Sequence, residues 1–216
     1  MRKLIFRLAR RAARAWLWSY SLKIARELID QPGWRKPNRW KGLLLGVAGG
    51  AVGTLAMSLY FKAMSPFVDM NATTGGTDDS RPRGLDSIAV LGRHYQEHEG
   101  STAAVGRCAY QAIAGAAPKA EETRAMLSEL VHWSFGIQMG ALYGAIRGPA
   151  DIPDIAGGLG FGAGVWLLAS ELAVPLLGFA PGPTKFPLAH HANELGAHIV
   201  YGITTAATTQ ALQRWL

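Results

Sequence analysis

Four stretches of this chain, 42–61, 130–146, 155–180 and 195–212, are apolar over membrane-spanning length and laced with glycine. A bilayer core about 30 Å thick takes roughly 20 apolar residues of helix to cross, so the pattern predicts four transmembrane helices. Charge enters these runs only at Glu171, with Lys62 bordering the first. Polar residues dominate before and between them. Residues 71–84 (NATTGGTDDSRPRG) have turn chemistry throughout, and the spacing that follows predicts two short helices, 85–99 and 102–116, lying on the outer membrane surface. Pro118 suits the first turn of a long helix running through Glu121, Glu122 and Glu129 into the second span. The expected fold class is all-α: a polytopic membrane protein with four transmembrane helices, an N-terminal amphipathic interfacial helix and outer surface helices.

Residues 1–41 form a basic region ahead of the membrane domain, 42–216, whose outer loop is 65–128. Arg10, Arg11 and Arg14 alternate with Leu, Ile, Trp16 and Trp18 at roughly helical spacing, the composition of a helix that lies in a membrane surface or docks on a partner. Gln31-Pro32-Gly33 should end it. The net charge of +7 is uneven, since twelve of the twenty-two Lys and Arg residues lie between Arg2 and Lys41. The positive-inside rule then places the N-terminus in the cytoplasm of a bacterial inner-membrane protein, and four spans return the C-terminus to the same side. The basic segment is aromatic and aliphatic enough that lipid, not nucleic acid, is the partner expected. A single cysteine, Cys108, excludes an internal disulfide framework and a Cys-based zinc or iron–sulfur site within one chain.

Gly136, Gly140, Gly144 and Gly148 recur every four residues, as do Gly42, Gly46 and Gly50. Lipid tails give helices little hydrophobic reason to associate, so small residues that let backbones approach should hold the spans together; Gly158 and Gly162 extend that role to the third span. An echo suggests duplication. Glu129, His132 and Gly136 are answered by Glu194, His198 and Gly202, and Gly46, Gly50 and Ser58 by Gly158, Gly162 and Ser170 at constant offset. A 2+2 parallel repeat would follow.

Threading the spans antiparallel puts Glu129, His132, Glu171, Glu194 and His198 in the outer leaflet. Ionisable groups at that depth are costly and usually face a helix-packed interior. Carboxylate with imidazole suits a structural polar clamp, a proton or small-ion site, a metal or an axial haem ligand set; no cofactor is favoured among these. His94 and His98, one turn apart on a helix, make a weak second metal candidate that lacks further ligands. The chain has no nucleophile elbow, Walker loop, Rossmann fingerprint or His-Glu-x-x-His helix, so catalysis is not expected.

The first glycine-rich span (GLLLGVAGGAVG), the histidine-bearing span (HWSFGIQMGALYGAI) and above all the ending GFAPGPTKFPLAHHANELGAHIVYGI resemble the YagU-like family of small bacterial inner-membrane proteins. The resemblance covers about half the chain, and the long basic N-terminus departs from it. It implies a membrane protein without established catalysis, associated with acid-stress tolerance, in which Glu194 and His198 are the residues most worth testing. The leading expectation is an accessory or scaffold subunit of a larger membrane assembly, with partner subunits or further copies of itself. The alternatives are a small transporter or proton- and ion-handling protein, and a haem- or metal-binding protein.

Overall fold

A computed structural model of the chain describes residues 38–68, 85–147 and 154–216. The expectations placed on Arg10, Arg11, Arg14, Trp16 and Trp18, on the loop at 71–84 and on Gly148 lie outside these residues. The described residues are all-α, with no strand among them.

Helix α1, Arg39–Met64, starts where the Asn38 side chain accepts from the Lys41 backbone N–H at 3.2 Å, and it ends ahead of Pro66. Helix α2, Ser101–Ala114, closes on Gly115, whose φ of 75° provides a left-handed cap. Helix α3, Glu121–Ile146, carries Glu121 and Glu122 in its first turn, where negative charge meets the positive end of the helix dipole. It begins three residues after Pro118, which therefore precedes the first turn instead of occupying it. Helix α4, Ile155–Leu176, is capped by Asp154, whose carboxylate accepts from the Gly157 N–H at 2.8 Å. From Trp166 to Ala173 it widens into a π-helix. Pro175 explains why: a proline inside a helix lacks the N–H and its ring presses on the carbonyl four residues back, here that of Glu171. Helix α5, Leu188–Trp215, starts after Pro187, seven residues before the expected span.

The helices pack in the order α2, α3, α1, α5, α4. A Cβ added to Gly42 would land on the Gly144 carbonyl oxygen, and one on Gly46 would land on that of Gly140. On Gly50 it would come within 2.7 Å of the Gly136 oxygen, so α1 and α3 run antiparallel along a backbone-to-backbone seam. On the other flank of α1, Gly49 and Gly53 meet Thr209 and Thr205 of α5. Gly158 and Gly162 of α4 meet the Gly202 and His198 carbonyls, so this pair is antiparallel as well. Alternation leaves α3 and α5 parallel.

Burial is inverted relative to a water-soluble core. The buried apolar residues are Met57, Ala104, Tyr143, Ala197, Tyr201 and Ala206, whereas Leu44, Leu55, Leu59, Leu167 and Leu168 are exposed. Large aliphatics outside and small or polar residues inside are the arrangement lipid favours. Among the described residues two helices, α1 and α4, are long and apolar enough to cross a membrane, not four. At 26 and 28 residues α3 and α5 have the length. Polar residues lower their hydropathy, and on α5 these are turned inward: Asn193, His198, Thr205, Thr209 and Gln210 are buried.

Residues 85–99 do not form the expected helix. They run as an irregular strap across the end of α4, with Val90 donating to the Leu176 carbonyl at 2.8 Å and His94 to that of Gly178 at 2.7 Å. Thr184 binds the Asp86 carboxylate at 2.6 Å. Gly92 at φ 88° and His98 at φ 58° interrupt any helix, while the strap satisfies carbonyls that the end of α4 would leave without partners. Arg107 of α2 pins it down. Its guanidinium donates to both Glu99 carboxylate oxygens, at 2.7 and 2.9 Å, and to the His94 carbonyl. Burial pushes the Glu99 carboxyl up, but the Arg107 guanidinium and the Gln96 N–H more than offset this and hold it below the usual carboxylate range. A depressed carboxyl stabilises above its unfolded value, about 4.3, and that stability is lost as pH falls through the folded value. A spin label on Cys108, the residue after Arg107, should thus stay immobilised through the usual carboxylate range and become mobile only at pH below it. In Glu99→Gln it should be mobile even at pH 7, and an unchanged spectrum there would refute the pin.

Candidate functional site

Where α1, α3, α4 and α5 converge, beyond the glycine seams, two histidines from parallel helices face one small cavity. His132 comes from α3 and His198 from α5. The cavity has a volume of about 50 Å³, and Thr54, Met57, Met139 and Tyr201 are among its other walls. A volume of that size holds an ion or one or two waters and is far below that of a pocket for an organic substrate.

Each histidine is met by a serine from the glycine-rich helix packed against its own. Ser58 Oγ lies 3.3 Å from His132 Nε2 and Ser170 Oγ 3.4 Å from His198 Nε2. The tautomer of His198 follows from its other contact. Its Nδ1 is 2.8 Å from the Glu194 carbonyl oxygen, which can only accept, so Nδ1 carries the proton and Nε2 of the neutral ring offers a lone pair. The π-helical segment sets this geometry, since it turns the adjacent residues Ser170 and Glu171 toward positions seven apart on α5, His198 and His191. Widened helices of this kind recur at functional sites.

Glu171 meets His191 instead of the histidines expected for it. Its carboxylate is 2.7 Å from His191 Nδ1, and His191 Nε2 donates to the Pro183 carbonyl at 2.9 Å. With Nε2–H committed, the short contact holds one proton between carboxylate and Nδ1, and the pair is neutral overall whichever atom carries it. The Glu194 carboxylate stands 3.8 Å from His198 Nδ1. Glu129 is exposed on α3, one turn before His132, and its charge still reaches that imidazole. His94 and His98 do not stack one turn apart, because their segment is the irregular strap; the His94 ring packs on Phe179 with centroids 5.5 Å apart. That removes the geometric premise of a metal site there.

The sequence did not single out His191 as the partner of Glu171. The available signal was spacing: once α5 is extended to Leu188, His191, Glu194, His198, Tyr201 and Thr205 fall at alternating steps of three and four, which is one helix face. At the opposite end of the molecule Asp154 makes a second polar knot. It accepts from Arg147 Nε at 2.9 Å, from a second Arg147 nitrogen and from Tyr143 at 3.2 Å, while its backbone N–H donates to Gln210 at 2.7 Å.

Residues 114–207 match the profile of a family described as a protein of unknown function (DUF1440). The matched stretch holds His132, Ser170, Glu171, His191, Glu194 and His198 but not Ser58. No curated protein and no solved structure matches the chain.

Proposed function

We propose that this chain is a four-span inner-membrane protein of the YagU-like kind, and that it handles a small inorganic cation in the cavity between His132 and His198. The observation that carries this reading is the paired arrangement itself, a buried imidazole, His198, and a half-buried one, His132, each met by a serine across a seam of glycines and facing one ion-sized space. The 2+2 repeat gains support from the same pairing, since Ser58 with His132 and Ser170 with His198 are the corresponding residues of the two halves. Sites at the interface of such repeats are where small membrane carriers bind their ions. The four-span reading draws on the inward-facing polar stripe of α5 and the outward-facing leucines, and the orientation on Trp40, Trp215, Arg39, Lys41 and Arg214 gathered at one end.

An accessory-subunit role stands beside this as a second proposal, supported by the apolar outer face of α1, which fits another span as well as it fits lipid. The two part in proteoliposomes. Vesicles containing the protein and polarised by a potassium gradient should take up protons or a monovalent metal ion at least about tenfold faster than empty ones, a loss of about 1.4 kcal/mol of barrier. His132→Ala and His198→Ala should each abolish the difference while the protein remains folded in detergent. Uptake equal to that of empty vesicles would refute the cation reading and leave the accessory role.

A further inference from the structure

The cavity has a chemistry that histidine alone does not explain. Besides the two imidazoles it is walled by two thioethers, Met57 from α1 and Met139 from α3, and no carboxylate lines it. Met57 is buried at 7% exposure, in a cluster with Ala197 and Tyr201 against which Met139 also packs. Resting on the reading that this cavity is a cation site, we infer that its preferred occupant is a soft monovalent metal ion, Cu(I), bound by His132, His198, Met57 and Met139.

Three observations support this choice. Thioether with imidazole is a soft, uncharged donor set, which selects Cu(I) over Mg, Ca or Mn. The four donors are neutral and add no counter-charge of their own, and the cost of holding an ion's charge grows as its square, which favours a monovalent ion over a divalent one. His198 also has the orientation a metal ligand needs. Its Nδ1–H is tied to the Glu194 carbonyl, which fixes the ring and leaves Nε2 to the metal, held meanwhile only by the long 3.4 Å contact with Ser170. A harder site is not offered, because among the described residues no three His, Cys, Asp or Glu side chains converge on a point.

The test uses the full-length protein in detergent, carrying Cys108→Ser so that the lone thiol cannot compete. Cu(I) is delivered anaerobically from a chromogenic chelator. One equivalent should bind, and X-ray absorption should show nitrogen and sulfur scatterers together. Met57→Leu and Met139→Leu keep volume and fold, and each should weaken binding by more than about tenfold. No bound copper, a shell without sulfur, or binding unchanged in the Met57→Leu/Met139→Leu double variant would each overturn the assignment. Vesicle uptake that still depends on His132 and His198 in that double variant would show the cation site standing and only the copper assignment failing. Loss of the histidine dependence in the parent protein would remove both.

Discussion

Gly140→Val should prevent α1 and α3 from docking and cost at least about 3 kcal/mol, the upper range for overpacking a site that cannot yield. A Cβ at Gly140 would collide with the backbone of Gly50 and the carbonyl oxygen of Gly46. These are main-chain atoms in the middle of a helix, so no rotamer change relieves the clash. The seam would have to open along its length, parting Gly46 from Gly140 and Gly50 from Gly136 together. Gly160 and Gly164 supply the control, since nothing lies within 4 Å of a Cβ built on either. Gly164→Val replaces a poor helix former by a better one and should leave stability within about 1 kcal/mol of the parent. Thermal unfolding in detergent with size-exclusion chromatography reads both. Equal stability of the two variants would mean that the close approach is not what holds these helices.

Asp154→Ala should destabilise by about 3 kcal/mol, the lower range for breaking a buried ion pair from one side. One carboxylate caps α4, takes two Arg147 nitrogens and accepts from the Tyr143 hydroxyl. Loss of the cap alone is worth about 1 kcal/mol, and the larger part is the lost pairing with the Arg147 guanidinium, itself three-quarters buried. The sign of the coupling tests this account. Arg147→Met combined with Asp154→Ala should recover most of the charge-related loss, because an apolar pair of similar volume often replaces a buried ion pair at little cost. Additive losses in the double variant would show that the cap and backbone contacts dominate instead.

The helices were legible where the sequence repeats a physical signal. The glycines every four residues stand out: Gly46, Gly50, Gly140, Gly144, Gly158 and Gly162 all sit where another helix backbone passes, and Gly136 sits against the Thr54 side chain. His132 and His198 were legible for a different reason, being imidazoles inside stretches that are otherwise mostly apolar. What stayed hidden depended on contacts between distant segments. The 85–99 segment has a composition compatible with helix, and its bonds to the end of α4, to Thr184 and to Arg107 of α2 hold it extended. Glu171 was visible, but its partner was not, because choosing His191 required knowing that α5 begins at Leu188 and that α4 widens ahead of Pro175. Glu129 and Glu194 look alike in sequence, yet one faces outward and the other inward, a matter of helix rotation that a short motif does not record.

An interior built from main chain and hydroxyls, with leucine on the outside, sets unequal tolerances for change over evolutionary time. The outward-facing positions can drift among aliphatic and aromatic residues with little consequence, because no neighbouring segment of the chain has to fit them. Along the seams, the usable alphabet shrinks to residues no bulkier than the space between two backbones. Divergent relatives should therefore vary most at their largest hydrophobic residues and least at their smallest, the reverse of the pattern in water-soluble domains of the same length.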